Sequence, residues 1–230
     1  MSLNDRTVLE REYATTARLE GRRHGVTGWL RGDEPWIEAL VAVAEMRPHR
    51  VLDAGCGDGI FARAIAAPVV IGVDSSPAMV ERARSRGVDA RLATIEELPF
   101  ADGEFDVVVC NWVLYHLEDL ERGIAELARV VRPGGRFVGV YNREHHMDEL
   151  WQRVRPELGA DPDYDVELRG SFVRVEHRDT EAATLWETPT DLQRFLDAFV
   201  ELVGPLTAPE GPYPFRVTRR NRVYVAERPA

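Results

Sequence analysis

The stretch "VLDAGCGDG", residues 51–59, decides the fold of this chain. An apolar strand pattern ends at Asp53, and glycines follow at alternate positions before the helical pattern "IFARAIAA" begins. Glycine there permits positive φ and lets a ligand approach bare backbone. A strand that turns into a helix through such a loop is typical of an open α/β sheet, which binds ligands at the carboxyl ends of its strands. We therefore expect a ligand above Gly55, Gly57 and Gly59.

The chain after this loop alternates between strand and helix patterns. Four further apolar runs predict strands, namely "VVIGVD", "VDARLAT", "FDVVVCNWVL" and "RFVGVYN". Two helical patterns lie among them, "SPAMVERARSRG" and "DLERGIAELARVV". In the first helix we expect Ser76 as the N-cap, Pro77 at the first position and Gly87 as the stop. This alternation predicts right-handed crossovers and a parallel sheet.

The final third of the chain is more mixed. It predicts a helix at "HHMDELWQRVRPEL" and a loop at "DPDYD". Strands are expected over about 171–186 and 215–227, with a helix over 190–202 that Thr190 and Asp191 cap. The basic stretch "RVTRRNR" in the last strand is interpreted as a charged strand edge, because charge protects an exposed edge from pairing.

The composition excludes several classes of protein. No apolar run approaches the roughly 20 residues of a membrane span, the charged N-terminus is no secretory signal, and Cys56 and Cys110 are too few for a disulfide scaffold. We therefore expect a cytoplasmic protein. A net charge of −10 argues against nucleic-acid binding over the whole surface. All 29 basic residues are arginine, which excludes a pyridoxal phosphate Schiff base and a Walker A loop.

The acids around the glycines restrict the ligand. The dinucleotide fingerprint is G-x-G-x-x-G, whereas this chain has G-x-G-x-G, with Ile60 at the third fingerprint position. Asp53 and Asp58 would repel a pyrophosphate and suit a ligand with a cationic amino group. Asp74, at the end of the second strand, is placed to accept hydrogen bonds from both ribose hydroxyls. A ribose contact is shared with NAD sites, so Asp74 alone does not decide between the two ligands.

Five motifs together resemble a known family. "VLDAGCGDG", "VVIGVDSSPAM", "ATIEELPF", "FDVVVCNWVLYHLEDL" and "ARVVRPGGRFV" are similar, in order and spacing, to those of class I S-adenosylmethionine-dependent methyltransferases. The likeness is greatest to the small-molecule branch that includes ubiquinone and menaquinone C-methyltransferases, and it covers about residues 48–142. The resemblance implies a Rossmann-like, seven-stranded, mostly parallel sheet flanked by helices. It also implies S-adenosylmethionine as cofactor and a small-molecule acceptor that takes the methyl group by direct displacement.

The resemblance also implies a division of the chain. Residues 1–47 would form an N-terminal helical lid, and residues 48–230 the S-adenosylmethionine-binding domain, with cap elements in 143–213. The oligomeric state is left open between a monomer and a homodimer. An NAD-dependent oxidoreductase, a methyltransferase acting on RNA or protein, and a non-catalytic member of the family remain as alternatives.

Cofactor-binding residues follow from the motifs. The resemblance places Asp53 and the loop near the methionine part of the cofactor, Asp74 at the ribose and Asn111 near the sulfonium. Ser75 and Met79 would flank the adenine. Thr94 stands where the family usually has an aspartate. The full expected set is Asp53, Gly55, Cys56, Gly57, Asp74, Ser75, Met79, Thr94, Ile95 and Asn111.

The acceptor end depends on residues that vary within the family. The candidates for catalysis are Tyr115, His116, His145 and His146, since a histidine is the natural base near neutral pH. His116 serves equally well as a packing residue. The candidates for contacting the acceptor are Tyr13, Arg22 and Trp112. No metal is expected, because His145, His146 and Glu144 lack the i, i+4 spacing of a zinc helix.

Overall fold

The computed structural model describes residues 5–15, 17, 20, 31–156 and 162–230. Its strands are β1 (Arg31–Gly32), β2 (Arg50–Ala54), β3 (Val69–Asp74), β4 (Asp89–Leu92), β5 (Phe105–Val109), β6 (Val131–Asn142), β7 (Val173–Trp186) and β8 (Phe215–Glu227). The described helices are α1 (Arg6–Glu12), α2 (Pro35–Glu45), α3 (Ile60–Ala64), α4 (Pro77–Ser85), α5 (Leu120–Val130), α6 (Asp148–Val154), α7 (Asp165–Ser171), α8 (Pro189–Asp197) and α9 (Val200–Val203).

The strands form one sheet in the order β1-β7-β8-β6-β5-β2-β3-β4. β2 to β6 pair in parallel, and β8 runs antiparallel to both β6 and β7. The seven strands from β2 to β8 confirm the expected Rossmann-like sheet. The two-residue strand β1 adds an edge that pairs with Ala182 and Ala183 of β7. The order reverses between β2 and β5, which leaves a crevice at their carboxyl ends.

Helices cover both faces of the sheet. Consecutive residues Val51 and Leu52 of β2 belong to different core clusters, because side chains alternate across a strand. On the face of Leu52, α5 contributes Ile124, and on the face of Val51, α2 contributes Val43. Burial on both faces explains why the sequence of these strands is almost continuously apolar.

The α4 helix forms as its sequence predicts. Ser76 is the N-cap, and its Oγ accepts a hydrogen bond from the backbone N–H of Met79 at 3.3 Å. Pro77 occupies the first position, where its missing N–H is no loss. Gly87 follows the helix with φ +84°, a conformation that ends helices readily. This cap fixes the loop after β3, and that loop lines the site.

The final third differs from expectation in several details. A helix, α7, follows the predicted "DPDYD" loop at Asp165–Ser171. The α8 helix is capped by Thr188, which accepts a hydrogen bond from the N–H of Asp191, so the Thr190 cap was wrong. That helix ends at Asp197, and α9 follows as a separate turn.

The interpretation of "RVTRRNR" as a strand edge was also wrong. β8 lies inside the sheet between β6 and β7. Two of its arginines instead form close ion pairs with carboxylates. Arg220 contacts Glu181 at 3.1 Å, and Arg222 contacts Asp179 at 2.8 Å. These ion pairs neutralise the basic patch that the sequence suggested.

The helices α1 and α2, which precede β2, pack against different parts of the molecule. Val8 of α1 belongs to a cap cluster with Leu202 of α9 and Phe215 of β8. By contrast, α2 packs on the sheet itself. The boundary of a lid at residues 1–47 therefore stays a prediction. Among the described residues, no helix combines the length and the apolar character that crossing a membrane requires.

Candidate active site

A cavity of about 1420 Å³ opens at the carboxyl edge of the sheet. The glycine loop after β2 and the ends of β3, β5 and β6 form one side of it. The helix α1, the start of α2, and parts of α6, α8 and β8 form the other side. The cavity therefore joins the glycine loop and strand ends of the sheet to the N-terminal and cap helices in one continuous space.

The glycine loop is a tight turn whose N–H groups are already used. Gly55 and Gly57 have φ of +76° and +52°, and a Cβ at Gly55 would lie 2.4 Å from Val113 Cγ2. The N–H groups of Gly55 and Cys56 both donate to the carbonyl of Val73 at 2.8 Å. The N–H of Gly57 donates to Asp74 Oδ2 at 2.9 Å. Since a pyrophosphate would need such donors, this loop is unsuited to holding a dinucleotide.

Two carboxylates of the loop region face the cavity, Asp53 and Asp74. Burial, and then the charge of Asp74, raise the pKa of Asp53 to about 7. Burial also raises the pKa of Asp74, against hydrogen bonds from the backbone N–H groups of Ser76 and Gly57. Asp53 Oδ2 has no hydrogen-bond partner and is buried. A cation or hydroxyl donors would relieve this concentration of negative charge.

The third acid of the loop, Asp58, has a different role from the expected one. Its side chain is fully buried and forms an ion pair with Arg86 at 2.6 Å, away from the cavity lining. The same guanidinium donates to the backbone carbonyl of Asp58. Asp58 therefore ties the loop to the end of α4 and does not confront a ligand.

Only some of the residues predicted to contact the adenine line the cavity. Ser75, Thr94 and Ile95 line the cavity. Met79 is 1% exposed and lies outside the lining, so the structure does not support its contact with a ligand. Glu96 lines the cavity as well, which the sequence analysis missed although it stands within "ATIEELPF".

Asn111 presents a hydrogen-bond donor to the cavity. Its Oδ1 accepts the backbone N–H of Val140 at 3.0 Å, which fixes the orientation of the amide. Its Nδ2 is buried without a hydrogen-bond partner. An amide N–H suits an oxygen better than a sulfonium, so its partner would be an oxygen of the cofactor or of the acceptor.

Tyr13 and His116 form a pair over the site. The Tyr13 hydroxyl and His116 Nε2 lie 3.0 Å apart, and the ring of Tyr115 contacts His116 edge-on. The carbonyl of Tyr13 accepts a hydrogen bond from Ser76 Oγ at 2.7 Å. The end of α1 is therefore fixed both to the loop after β3 and to a candidate base.

The two adjacent histidines, His145 and His146, have different surroundings. His145 is exposed, contacts Asp148 at 2.7 Å and lies outside the cavity lining, so the structure does not support it as a base. His146 lines the cavity, with Nδ1 at 2.8 Å from the carbonyl of Arg220. Burial lowers the pKa of His146 to about 4, so this imidazole is neutral at pH 7.

The far end of the cavity is aromatic. Trp112 donates from Nε1 to Asn142 Oδ1 at 3.2 Å, and its backbone has φ +54°. Four further aromatic side chains line this end, which the sequence analysis missed: Trp36, Trp151, Phe195 and Phe199. Phe195 and Phe199 stand four residues apart, with ring centroids separated by 5.0 Å, whereas Trp36 and Trp151 come from distant segments that no sequence spacing connects to them. The expected acceptor contact Arg22 lies outside the described residues.

Comparisons with known proteins agree with this architecture. Residues 52–139 match the family model of the methyltransferase domain. The chain is 38% identical over 120 residues to the uncharacterised methyltransferase YcgJ of Bacillus subtilis strain 168, covering 48% of this chain and 46% of that protein. It is 35% identical over 119 residues to a demethylmenaquinone methyltransferase of Symbiobacterium thermophilum, covering 46% of this chain and 47% of that protein. The chain thus spans about half the length of the curated relatives it matches.

A solved structure extends the likeness over the whole chain. The N-methyltransferase NodS of Bradyrhizobium japonicum WM9, in complex with S-adenosyl-L-homocysteine, superposes with a TM-score of 0.58 at 19% identity, covering 99% of this chain and all of that one. At that identity the likeness concerns the fold. The family match over residues 52–139 is to the methyltransferase domain, and the likeness over the whole chain is to the fold of an S-adenosylhomocysteine-binding methyltransferase.

Proposed function

We propose that this protein transfers a methyl group from S-adenosylmethionine to a small-molecule acceptor by direct displacement. The observation that carries the proposal is the continuity of the cavity. One space connects Asp53 and Asp74 at the glycine loop with the aromatic end around Trp112. Its volume of about 1420 Å³ exceeds that of a typical single-ligand pocket, about 300–1,000 Å³. It therefore has room for a nucleoside and an acceptor side by side.

The carboxylates fit the cofactor. Asp74 accepts backbone hydrogen bonds from Gly57 at Oδ2 and from Ser76 at Oδ1, and its carboxylate lines the cavity, where the two ribose hydroxyls would be its further donors. Asp53, with its buried oxygen that lacks a partner, fits a cationic amino group. Gly55, which also lines the cavity, lets Val113 pack against the loop where a Cβ would clash. The other predicted cofactor contacts, Ser75, Thr94, Ile95 and Asn111, belong to the same proposal.

Methyl transfer asks little of the protein beyond alignment. When bound, S-adenosylmethionine supplies a methyl group on a positively charged sulfur, which makes that group electrophilic. The cavity walls hold the acceptor in line and exclude water, and such positioning is worth about 7–11 kcal/mol in well-oriented systems. His116, oriented by the Tyr13 hydroxyl, is placed to receive a proton from the acceptor. His146, neutral at pH 7, is the second candidate for that role.

A small acceptor is favoured over RNA or protein. Arg220 and Arg222 of "RVTRRNR" pair with carboxylates, and the chain carries a net charge of −10, so its attraction for a phosphate backbone is weak. The aromatic end lies inside a cavity, which suits a compact apolar molecule. One relative is named as a methyltransferase of demethylmenaquinone, which is a small molecule.

Label transfer tests the proposal. The protein is incubated with methyl-labelled S-adenosylmethionine and, separately, with small-molecule, RNA and protein fractions. We expect label in the small molecules, S-adenosylhomocysteine in equal amount, and a loss of both with Asp74→Ala. The control Asp89→Ala removes an exposed acid of β4 that pairs with Arg91, and should transfer normally. Label only in RNA or protein would refute the acceptor class, and no S-adenosylhomocysteine in any fraction would refute the reaction.

A further inference from the structure

Arg219 stands apart from the other arginines of the cap and sheet. Burial lowers its pKa, whereas hydrogen bonds to carboxylates raise the pKa of Arg129, Arg178 and Arg222. Its side chain is only 11% exposed, so water does little to replace the lost hydration. The folded protein therefore holds at this position a guanidinium whose charge is incompletely compensated.

The carboxylate next to Arg219 does not compensate it fully. Glu34 Oε1 lies 3.5 Å from Arg219 Nη1, compared with 2.7 Å between Arg178 and Glu45 and 2.8 Å between Arg222 and Asp179. Glu34 is also the N-cap residue of α2, where the positive end of the helix dipole stabilises its charge. The pair thus leaves positive potential at Arg219, which retains donors for a second oxygen pair.

The cavity places Arg219 far from the expected reaction centre. The side chain of Asn111 accepts a hydrogen bond from the backbone of Val140, which pairs with Val223 of β8. Arg219 lies four residues from Val223 along β8, a distance of about 14 Å at 3.4 Å per residue. Trp112 and the other aromatic side chains line the same cavity. Asn221, on the same face of β8 as Arg219, also lines it.

From this arrangement we propose that Arg219 binds a carboxylate at one end of an elongated, largely aromatic or apolar acceptor, whose methylated atom lies at the other end. The inference rests on the proposed methyl transfer and names the class of its acceptor. A guanidinium binds a planar carboxylate with two parallel hydrogen bonds, which fixes the direction of the molecule as well as its charge. Remote binding of this kind aligns the reacting end.

A carboxylate suits this position better than other charged groups. A phosphate carries nearly two negative charges, which one guanidinium beside Glu34 cannot balance. An ammonium group would be attracted by Glu34 but repelled by the desolvated positive charge of Arg219. A single negative charge relieves the unfavourable burial of Arg219 without requiring Glu34 to leave.

A matched set of ligands tests the inference. The probes are 4′-hydroxybiphenyl-4-carboxylic acid, its primary carboxamide and the corresponding aryl phosphate, titrated calorimetrically into the protein with and without S-adenosylhomocysteine. We expect the acid to bind about 10- to 100-fold more tightly than the amide, since a hydrogen bond to a charged group is worth that much. The phosphate should bind more weakly than the acid.

Two variants locate the effect. Arg219→Gln should lose the preference for the acid, whereas Arg216→Gln, which changes an exposed arginine of the same strand, should keep it. Urea unfolding should find Arg219→Gln at least as stable as the wild type, because a poorly compensated buried charge is removed; marked destabilisation would instead indicate a structural ion pair.

The outcomes separate the two proposals. Any one of four results would overturn the inference. These are equal binding of the acid and the amide, no binding of either, a preference for the phosphate, and an acid preference that survives Arg219→Gln. A preference that depends on Arg219 in a protein that fails to bind S-adenosylhomocysteine would support the carboxylate site and refute the proposed methyl transfer.

Discussion

Replacing Asp53 by asparagine removes one ionisable group and nearly preserves its shape. A difference of one pH unit between folded and unfolded pKa values is worth about 1.4 kcal/mol. Because burial raises the pKa of Asp53 from 3.8 to about 7, its ionisation destabilises the ligand-free fold by about 4 kcal/mol at pH 8. Between pH 4 and 7 the folded protein holds a proton that the unfolded chain has released. Stability therefore falls as the pH rises through this window and levels off above pH 7.

The assay is urea unfolding of ligand-free wild type and Asp53→Asn at pH 5, 6, 7 and 8, followed by tryptophan fluorescence. The other titrating groups are common to both proteins, so the difference between the two unfolding free energies isolates Asp53. That difference should grow in favour of the variant by about 2 kcal/mol between pH 5 and 7 and then stay nearly level. A difference that is independent of pH would refute the reasoning, because Asp53 would then ionise at its ordinary pKa.

The same variant should bind S-adenosylmethionine more weakly. In the wild type, affinity should fall about tenfold per pH unit below pH 7, as Asp53 takes up a proton and loses its charge. Asp53→Asn should lack this dependence. The control is Asp58→Asn, which removes the acid that pairs with Arg86 outside the cavity. It should destabilise the fold across the same pH range and keep the pH dependence of binding.

Further predictions concern the contact between Tyr13 and His116 and the glycine loop. Tyr13→Phe removes the hydroxyl next to His116 and should lower kcat about tenfold with little change in S-adenosylmethionine affinity, whereas His116→Gln should lower kcat by about 10²-fold or more in steady-state kinetics. If both variants keep the wild-type kcat, the pair plays no part in the reaction. Gly55→Ala should abolish cofactor binding in calorimetry and lower the unfolding free energy, because its Cβ would lie 2.4 Å from Val113. Gly87 also has positive φ, but a Cβ there would meet nothing within 4 Å. Gly87→Ala should therefore lower the unfolding free energy by only about 1 kcal/mol and keep cofactor binding.

The sequence predicts the central sheet well, for a physical reason. Strands β2 and β5 are buried on both faces, so their apolar runs are continuous and end sharply in a loop, whereas the edge strand β4 is only partly buried. Ser76, Pro77 and Gly87 form local signals of this type, and the structure confirms all three. The strand order follows from right-handed crossovers between parallel strands.

The site is predicted only where a single segment forms it. Asp53 and Asp74 each end a strand, so their place at the cavity follows from the sheet. The direction of Asp58 depends on Arg86, which arrives from the far end of α4, and no local pattern reveals that pairing. Arg219 lies in a stretch that reads as a solvated basic patch until the burial of β8 is known.

The cap is the least predictable part. Its aromatic wall combines residues from three distant segments, each of which reads as ordinary core in its own helix: Trp36, Trp151, and the neighbouring pair Phe195 and Phe199. A tertiary arrangement, not a spacing, makes them neighbours. The acceptor-binding end of the molecule therefore depends on contacts that only the folded chain displays.

Calorimetric titration tests the central claim most directly. Wild type and Asp74→Ala are each titrated with S-adenosylmethionine, S-adenosylhomocysteine and NAD. The account predicts that both sulfur nucleosides bind the wild type at one site, that Asp74→Ala weakens both by about 10²-fold through the loss of two hydrogen bonds to a charged group, and that NAD does not compete. Binding of NAD without binding of either sulfur nucleoside would contradict it.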